Sequence, residues 1–396
     1  MDEPKVTLLK EEAERVYGRK ILSASDCEFL GREIFERTQL KVSVNTLRRL
    51  FNLMASKYQA SLYTLDVLAK YCGFTGYSDF IMRGQKSAQE APDHDSGLLD
   101  LLILMFKDTD HKSINDPHFF ALIDGTISRL SQWPNIIDQF HCRIAKTVNG
   151  QRIYFEQFIN IDKLNSYFGE GLRYYLHEKR KPEAQLFGHS LLCLNSWLTG
   201  NHTLLHHHYR ETIRYNIDET TDMFLCARYF SVELFYYDVT GKALAPILDK
   251  ARDFQSSANM FKPDANAFPG FEYIMAETLV LLQQYDEALY YIHRALKKRN
   301  SHVSTYMNAK MYESICLFQA TALWHSGKTE KARDIFDTIN TTNFHFLSKQ
   351  YNTILYILLK RKMDRGKNYD KQLGYLVQQT GFRQLYSGND MMKAAS

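Results

Sequence analysis

Apolar residues recur at helical spacing along most of the chain. Within 44–51, Val44, Leu47, Leu50 and Phe51 fall three or four positions apart, which is the pattern of an amphipathic helix with one buried face. The chain holds 25 Tyr and 25 Phe but only 8 Pro, a composition typical of long helices packed through bulky side chains. We therefore predict an all-α fold.

A polar stretch divides the chain into two helical parts. Residues 84–97, GQKSAQEAPDHDSG, contain a proline and two glycines and have almost nothing to bury, which indicates a linker. We predict a helical domain over 1–83, a linker over 84–97 and a larger helical domain over 98–396.

The larger domain repeats one outline, an apolar helix, a tight turn and a second amphipathic helix. The turns fall at Gly200, Gly241, Gln284 and Gly327, at intervals of 41, 43 and 43 residues. A fixed period with two helices per unit indicates an α-solenoid, here of about five or six helical hairpins. The alternative is an irregular helical domain in which similar hairpins recur by chance.

Two of these units carry the resemblance to a known repeat. YDEAL at 285–289 and the stretch 324–336, with Gly327 and Ala332, resemble tetratricopeptide repeats, whose usual period is 34 residues. The longer period here implies helices about a turn longer. The concave side of such an array would bind a peptide or protein partner. Candidate lining residues are Asn195, Arg228, Tyr273 and Asn308.

The first 83 residues predict a small bundle. Ser25 followed by Glu28 fits a capping box that begins a helix, and Ser43 fits the cap of another. In the first of these helices we expect Phe29, Leu30, Ile34 and Phe35 to face the core. The predicted helices span 7–21, 25–38, 44–51 and 64–72, the last ending at Gly73.

Two stretches of this bundle resemble the lambda-repressor-like helix-turn-helix domains of bacterial regulators. They are VSVNTLRRL at 42–50 and TLDVLAKYCGF at 64–74. The resemblance implies that the helix starting at Val44 lies in the DNA major groove. With a repeat array behind it, it implies a transcriptional regulator in which the array senses a ligand and dimerises. We expect the homodimer contact to involve the last repeats, including 351–359.

Charge adds to this interpretation. Between Arg37 and Leu65 the chain has five basic residues and no acidic ones. Basic side chains neutralise phosphates, and Asn or Arg side chains read base edges. The predicted contacts to double-stranded DNA are Ser43, Asn45, Thr46 and Arg49 on or beside the helix, with Arg37, Lys41, Arg48 and Lys57 on phosphates.

Two alternatives to DNA binding stay open. The basic face could be an ordinary solvated surface, and the whole chain could be a non-enzymatic scaffold for protein–protein interaction in which the N-terminal helices dock or cap. The chain has no phosphate-binding loop and no GxSxG elbow, so we expect neither an enzyme nor a cofactor.

The remaining chemistry is sparse. His202 and His206 lie at i and i+4 in the run 202–208, but HExxH is absent, and we expect no metal site. The six cysteines include no CxxC pair, and we expect them to be reduced thiols. With no long apolar stretch and a net charge of +4, we expect a cytoplasmic protein without membrane contact.

Overall fold

The structure is a computed structural model, and it confirms the all-α fold. It describes residues 3–17, 20–55, 60–86, 94–107, 117–130, 133–218, 220–261, 270–300, 306–364 and 368–390. Across these ranges the chain is helical or irregular and forms no β-strand. It divides into two compact units between His94 and Asp95. The described ends of the segment 84–97 are helical, at 84–86 and 94–97.

The described residues of the first unit form a bundle of five helices. They are α1 (Glu3–Tyr17), α2 (Ala24–Thr38), α3 (Val44–Leu50), α4 (Leu62–Tyr71) and α5 (Tyr77–Lys86). Helix α4 packs against α1, α2 and α5, whereas α3 packs against α2. The core includes Leu9, Leu30, Ile34, Leu47 and Leu68, all of them almost fully buried.

The start of α2 differs from the sequence prediction. Its cap is Ser23, which forms a capping box with Asp26: the Ser23 hydroxyl accepts from the Asp26 amide at 3.2 Å, and the carboxylate accepts from the Ser23 amide at 2.9 Å. The predicted pair of Ser25 and Glu28 was wrong, because Ser23 and Asp26 form the capping box two residues earlier. The predicted cap at Ser43 is confirmed.

Two of the four residues predicted for the core face of α2 are buried, and the other two are exposed. Leu30 and Ile34 are fully buried, as expected, and Cys27 joins them. Phe29 and Phe35 are 51% and 38% exposed. Residues 27, 30 and 34 keep the spacing of a single stripe, so the two phenylalanines fall on its flanks and form part of the surface.

The second unit begins with five helices and continues as a succession of helical hairpins. The first group comprises α6 (His94–Lys107), α7 (Pro117–Leu130), α8 (Pro134–Ile144), α9 (Val148–Gly150) and α10 (Tyr167–Glu178). The next comprises α11 (Pro182–Thr199), α12 (His202–Thr212), α13 (Met223–Val239), α14 (Ala245–Phe261), α15 (Gly270–Leu281), α16 (Tyr285–Asn300), α17 (Tyr306–His325) and α18 (Thr329–Thr338). The last are α19 (Lys349–Met363), α20 (Asp370–Thr380) and α21 (Arg383–Asp390).

The hairpins stack in chain order. Each helix pair packs internally, and α11, α13, α15, α17 and α19 also contact one another in succession. Neighbour-to-neighbour packing of this kind is what an α-solenoid requires. The tetratricopeptide-like assignment stays a prediction.

The turns adopt left-handed backbone conformations. Gly200, Gly241 and Gly327 have φ of 71°, 67° and 78°. In the remaining hairpin Gln283 occupies this position, with φ of 60°, so the turn lies one residue before the predicted Gln284. Packing supports the alignment of Gln283 with the glycines. The residues five positions after Gly200, Gln283 and Gly327 are Leu205, Ala288 and Ala332, and all three are fully buried.

The last helices of this unit contact elements from its first half. The Asp162 carboxylate accepts hydrogen bonds from the backbone amides of Gln350 and Tyr351, each at 2.8 Å, and so caps α19 from a segment nearly 190 residues away. The Leu347 carbonyl accepts from the Asp162 amide at 3.0 Å. Helix α21 packs against α11. The last helices are therefore held by contacts with elements from the first half of the unit.

Candidate functional site

Helix α3 is short and depends on its cap. The Ser43 side chain accepts from the Thr46 amide at 3.1 Å, and the two hydroxyls lie 2.7 Å apart. Leu47 and Leu50 anchor the helix in the core. The side chains of Ser43 and Thr46 thus hydrogen-bond to each other. We therefore expect them to position α3 in the predicted interface.

The outward face of α3 presents Asn45 and Arg49, both exposed. Arg48 lies between them and is half-buried, with its Nη1 atom 3.5 Å from the Asn45 carbonyl oxygen Oδ1. Its Nε atom is buried without a hydrogen-bond partner among the described residues. Arg49 is therefore an exposed arginine, whereas Arg48 is half-buried and lies beside Asn45 on the same helix.

The end of α2 carries another predicted cation, Arg37. Its guanidinium lies 5.0 Å from the centre of the Tyr71 ring, and an Nη atom is 3.9 Å from the Glu33 carboxylate. Gln39 ends the helix with φ of 58°, a conformation that usually favours glycine. The turn brings the chain from α2 into α3, so Arg37 and α3 belong to one continuous segment.

Lys41 lies on the turn itself and is exposed. Its ammonium lies 5.2 Å from the centre of the Phe35 ring, and the Tyr63 hydroxyl donates to its backbone carbonyl at 3.4 Å. Sequence reasoning missed these exposed aromatic neighbours, because an apolar residue at helical spacing is ordinarily assigned to the core. Lys57 lies outside the described residues.

Two of the four residues predicted to line a partner groove are buried in the interior. Arg228 and Tyr273 are almost fully buried, next to the buried Glu277. Burial raises the pKa of Glu277 and lowers that of Arg228, although the two opposite charges counteract both shifts. Arg228 and Tyr273 therefore belong to the interior and form no part of an open surface.

The other two residues predicted to line the groove are Asn195 and Asn308. Asn195 is half-buried, and its side-chain amide oxygen Oδ1 is enclosed without a hydrogen-bond partner in the described part of the chain. The side chain of Asn308 lies outside the described residues. The predicted groove is consequently not assembled from these four positions.

A pocket of about 310 Å³ lies elsewhere in the second unit. Residues from the C-terminal halves of α11, α13, α15, α17 and α19 line it, together with the first residue of α16 and the start of α21. We call it the axial pocket. Its lining comprises Trp197, Asp238, Val280, Leu281, Leu282, Gln283, Tyr285, Thr321, His325, Leu355, Leu358, Leu359, Lys362, Gln384 and Leu385.

The axial pocket combines an apolar floor with a few fixed polar groups. The Asp238 carboxylate accepts from the Trp197 indole at 2.9 Å. The His325 ring stacks on Tyr285, with centroids 4.4 Å apart and planes 6° from parallel. Burial, with a smaller effect of Lys362, lowers the pKa of His325 to about 4, so this imidazole is neutral at pH 7.

The segment expected to carry a dimer contact, 351–359, packs largely inside the second unit. Tyr351, Ile354, Ile357 and Leu359 are almost fully buried, and the whole segment belongs to α19. Thr353, Tyr356 and Leu358 of the same segment are half-buried, and the dimer contact stays a prediction.

No protein-family model, no curated protein and no solved structure matches this chain. In the described residues, no helix combines the length and apolar character needed to cross a membrane.

Proposed function

We propose that this chain is a non-enzymatic, double-stranded-DNA-binding transcription regulator whose second unit binds a peptide or protein ligand. The observation that carries the proposal is the exposed face of α3. There a capped, core-anchored helix presents Asn45 and Arg49 outward, with Lys41 on the preceding turn. Short helices with this pairing of residues are suited to reading base edges in the major groove.

The residues of this face divide by chemistry. Arg49 and Asn45 are exposed, and their side chains can pair bidentately with guanine and adenine edges respectively. Lys41 and Arg37 are assigned to phosphates, where geometry matters less than charge. We assign Arg48 to positioning, because its half-buried guanidinium lies against Asn45.

The axial pocket is the proposed ligand site. Its volume falls within the range of small-molecule and side-chain pockets. Leucines from α15 and α19 would take an apolar side chain, while Asp238 and Lys362 offer charges of both signs to the polar backbone of a peptide. We further propose that the protein acts as a homodimer, so that two α3 helices read the halves of one palindromic site.

Selection of fragments from a random DNA pool by the purified full-length protein tests the DNA-binding proposal. At about 0.15 M salt, non-specific phosphate contacts are weakened and specific ones persist. We expect one enriched motif with two-fold symmetry, whose half-site spacing would report the dimer geometry. Absence of any enrichment, even at low salt, would contradict the proposal.

A protein-docking scaffold is the second candidate, and it is favoured by the two exposed phenylalanines of α2. Phe29 lies under the Arg32 guanidinium, 5.6 Å from it, and Phe35 lies under Lys41. Exposed aromatic and arginine side chains are also enriched in protein interfaces. A chain that enriches no DNA would make this face a docking surface.

A further inference from the structure

Three imidazoles converge in the hairpin formed by α11 and α12. His189 comes from α11, and His207 and His208 from α12. One nitrogen of each ring can be chosen such that all three lie within 4.8 Å of one another. The Nδ1 atoms of His189 and His208 are already 3.0 Å apart.

This arrangement has the dimensions of a metal site. Zinc–nitrogen bonds of about 2.0–2.1 Å in a tetrahedral site place two ligand nitrogens about 3.3 Å apart. The separation of 3.0 Å between His189 and His208 is close to that value. His207 is exposed, and its ring lies beside both others, with its centroid 6.1 Å from that of His189 and 4.9 Å from that of His208.

The burial gradient across the cluster also suits ligation. His208 is buried, His189 is half-buried and His207 faces solvent, which gives an ion an entry route. Burial lowers the pKa of His189 to about 4 and that of His208 to about 3. Both rings are therefore neutral at pH 7, and a neutral imidazole is the form that binds a metal.

We propose that His189, His207 and His208 form a binding site for a divalent transition-metal ion of the zinc type, with a fourth position open to solvent. The ion would replace the single proton that the two facing Nδ1 atoms can share. Three histidines and one open position are a ligand set that Zn²⁺ accepts. The site would fasten α11 to α12 within one hairpin.

Neighbouring charges moderate the affinity. Arg173 and Arg214 lie close enough to act on His208 and His189 respectively, and their charges oppose a second cation. Arg214 is offset by Glu211, whose carboxylate is 2.5 Å from its guanidinium. We expect the site to bind metal despite this repulsion, because the three neutral donors are already close together.

The same histidine run supplies matched controls. His202 and His206 are the pair that sequence spacing suggested, and they lie outside the cluster. His202 is exposed, and the His206 ring packs edge-on against Tyr236 with centroids 5.1 Å apart. His202→Ala therefore removes an exposed histidine of the same helix without touching the proposed ligands.

The experiment titrates Zn²⁺ into the tag-free, full-length protein at pH 7, in competition with a chromophoric chelator. We expect one high-affinity Zn²⁺ per chain, weakened at least about tenfold by His207→Ala and unchanged by His202→Ala. His207 is the chosen ligand variant because its side chain is exposed, so its removal leaves the fold intact. Tryptophan fluorescence of both variants checks that point.

A second measurement keeps the result unambiguous. Co²⁺ bound in place of Zn²⁺ should give the visible absorption of a four- or five-coordinate site in the wild type and in His202→Ala, and lose it in His207→Ala. The proposal is overturned if the wild type binds no Zn²⁺, if His207→Ala binds as tightly as the wild type, or if His202→Ala weakens binding as much as His207→Ala.

Discussion

Gln283 holds a backbone conformation that glycine holds at the equivalent turns. Its φ of 60° is left-handed, as are those of Gly200, Gly241 and Gly327. A non-glycine residue in this region costs about 1 kcal/mol or more. Gln283 also lines the axial pocket. The strained residue is therefore one whose side chain lines the proposed ligand site.

Gln283→Gly should therefore stabilise the second unit. Relief of the left-handed strain is worth about 0.5–1 kcal/mol after the extra flexibility of glycine in the unfolded chain is subtracted. Urea unfolding followed by tryptophan fluorescence measures this directly, because the three tryptophans, Trp133, Trp197 and Trp324, all belong to the second unit.

Gly327→Ala is the matched control for that substitution. A Cβ at Gly327 meets no atom within 4 Å, so the backbone conformation alone should make alanine destabilising, by about 1 kcal/mol. A Gln283→Gly protein that unfolds at lower urea than the wild type would show that the glutamine side chain holds the turn together.

Individual side chains show where sequence reasoning succeeds. Ser43, Leu47 and Leu50 were placed correctly because cap chemistry and helical spacing act within one turn of helix. Phe29 and Phe35 were misplaced because hydrophobicity alone does not reveal that Arg32 and Lys41 cover them at the surface. The strain at Gln283 depends on a backbone angle that composition does not encode.

Helix α3 is only seven residues long, so its stability comes from its cap and from two buried leucines. Isolated helices of this length do not persist in water. The DNA-reading geometry proposed above thus depends on the hydrogen bond from the Thr46 amide to Ser43.

Ser43→Ala should loosen α3 specifically. Loss of an N-cap costs about 1 kcal/mol, which corresponds to about fivefold faster exchange of the amides that the helix protects through local opening. Hydrogen exchange with mass spectrometry over 44–50 measures it. Ser61→Ala, which removes the cap of α4, should instead speed exchange over 62–71. Equal exchange of α3 in Ser43→Ala and the wild type would refute the role given to this cap.

Pairs of elements far apart in sequence were beyond prediction. No local signal links Asp162 to the start of α19, since the residues joined by these hydrogen bonds are 188 and 189 positions apart. His189 was likewise missed as a partner of His207 and His208, because it belongs to the other helix of the hairpin. Spacing along one helix suggested His202 and His206 instead.

The second unit as a whole contains several histidines that folding keeps neutral. Burial lowers the pKa values of His141 and His208 to about 3 and those of His189 and His325 to about 4. Unfolded histidines have a pKa near 6.5 and take up protons below it. The stability these groups contribute is therefore present above about pH 6.5 and is lost as the pH falls toward their folded pKa values.

We expect the second unit to lose stability between pH 7 and pH 5. For the fully buried His141 the loss is about 2 kcal/mol, because at pH 5 its unfolded form is largely protonated. Burial raises the pKa of Asp162 to about 6, so its contribution is present below about pH 3.8 and is lost as the pH rises through 6, which opposes this trend.

His141→Gln provides the test, through urea unfolding at pH 7 and at pH 5. The glutamine does not titrate, so the pH-dependent loss should shrink by about 2 kcal/mol relative to the wild type, whatever the variant's stability at pH 7. An unchanged pH dependence would mean that His141 does not remain neutral in the folded unit.

The most direct test of the account compares two single-charge variants on the DNA fragment that the selection enriches. Arg49→Ala removes the exposed arginine of α3. Lys20→Ala is the control: it removes an exposed cation that precedes α2, lies outside α3 and its preceding turn, and pairs with the Glu14 carboxylate at 2.6 Å. We predict that Kd rises about 5- to 150-fold for Arg49→Ala and about twofold or less for Lys20→Ala. Equal changes in Kd for the two variants would contradict the proposal that α3 recognises the DNA sequence.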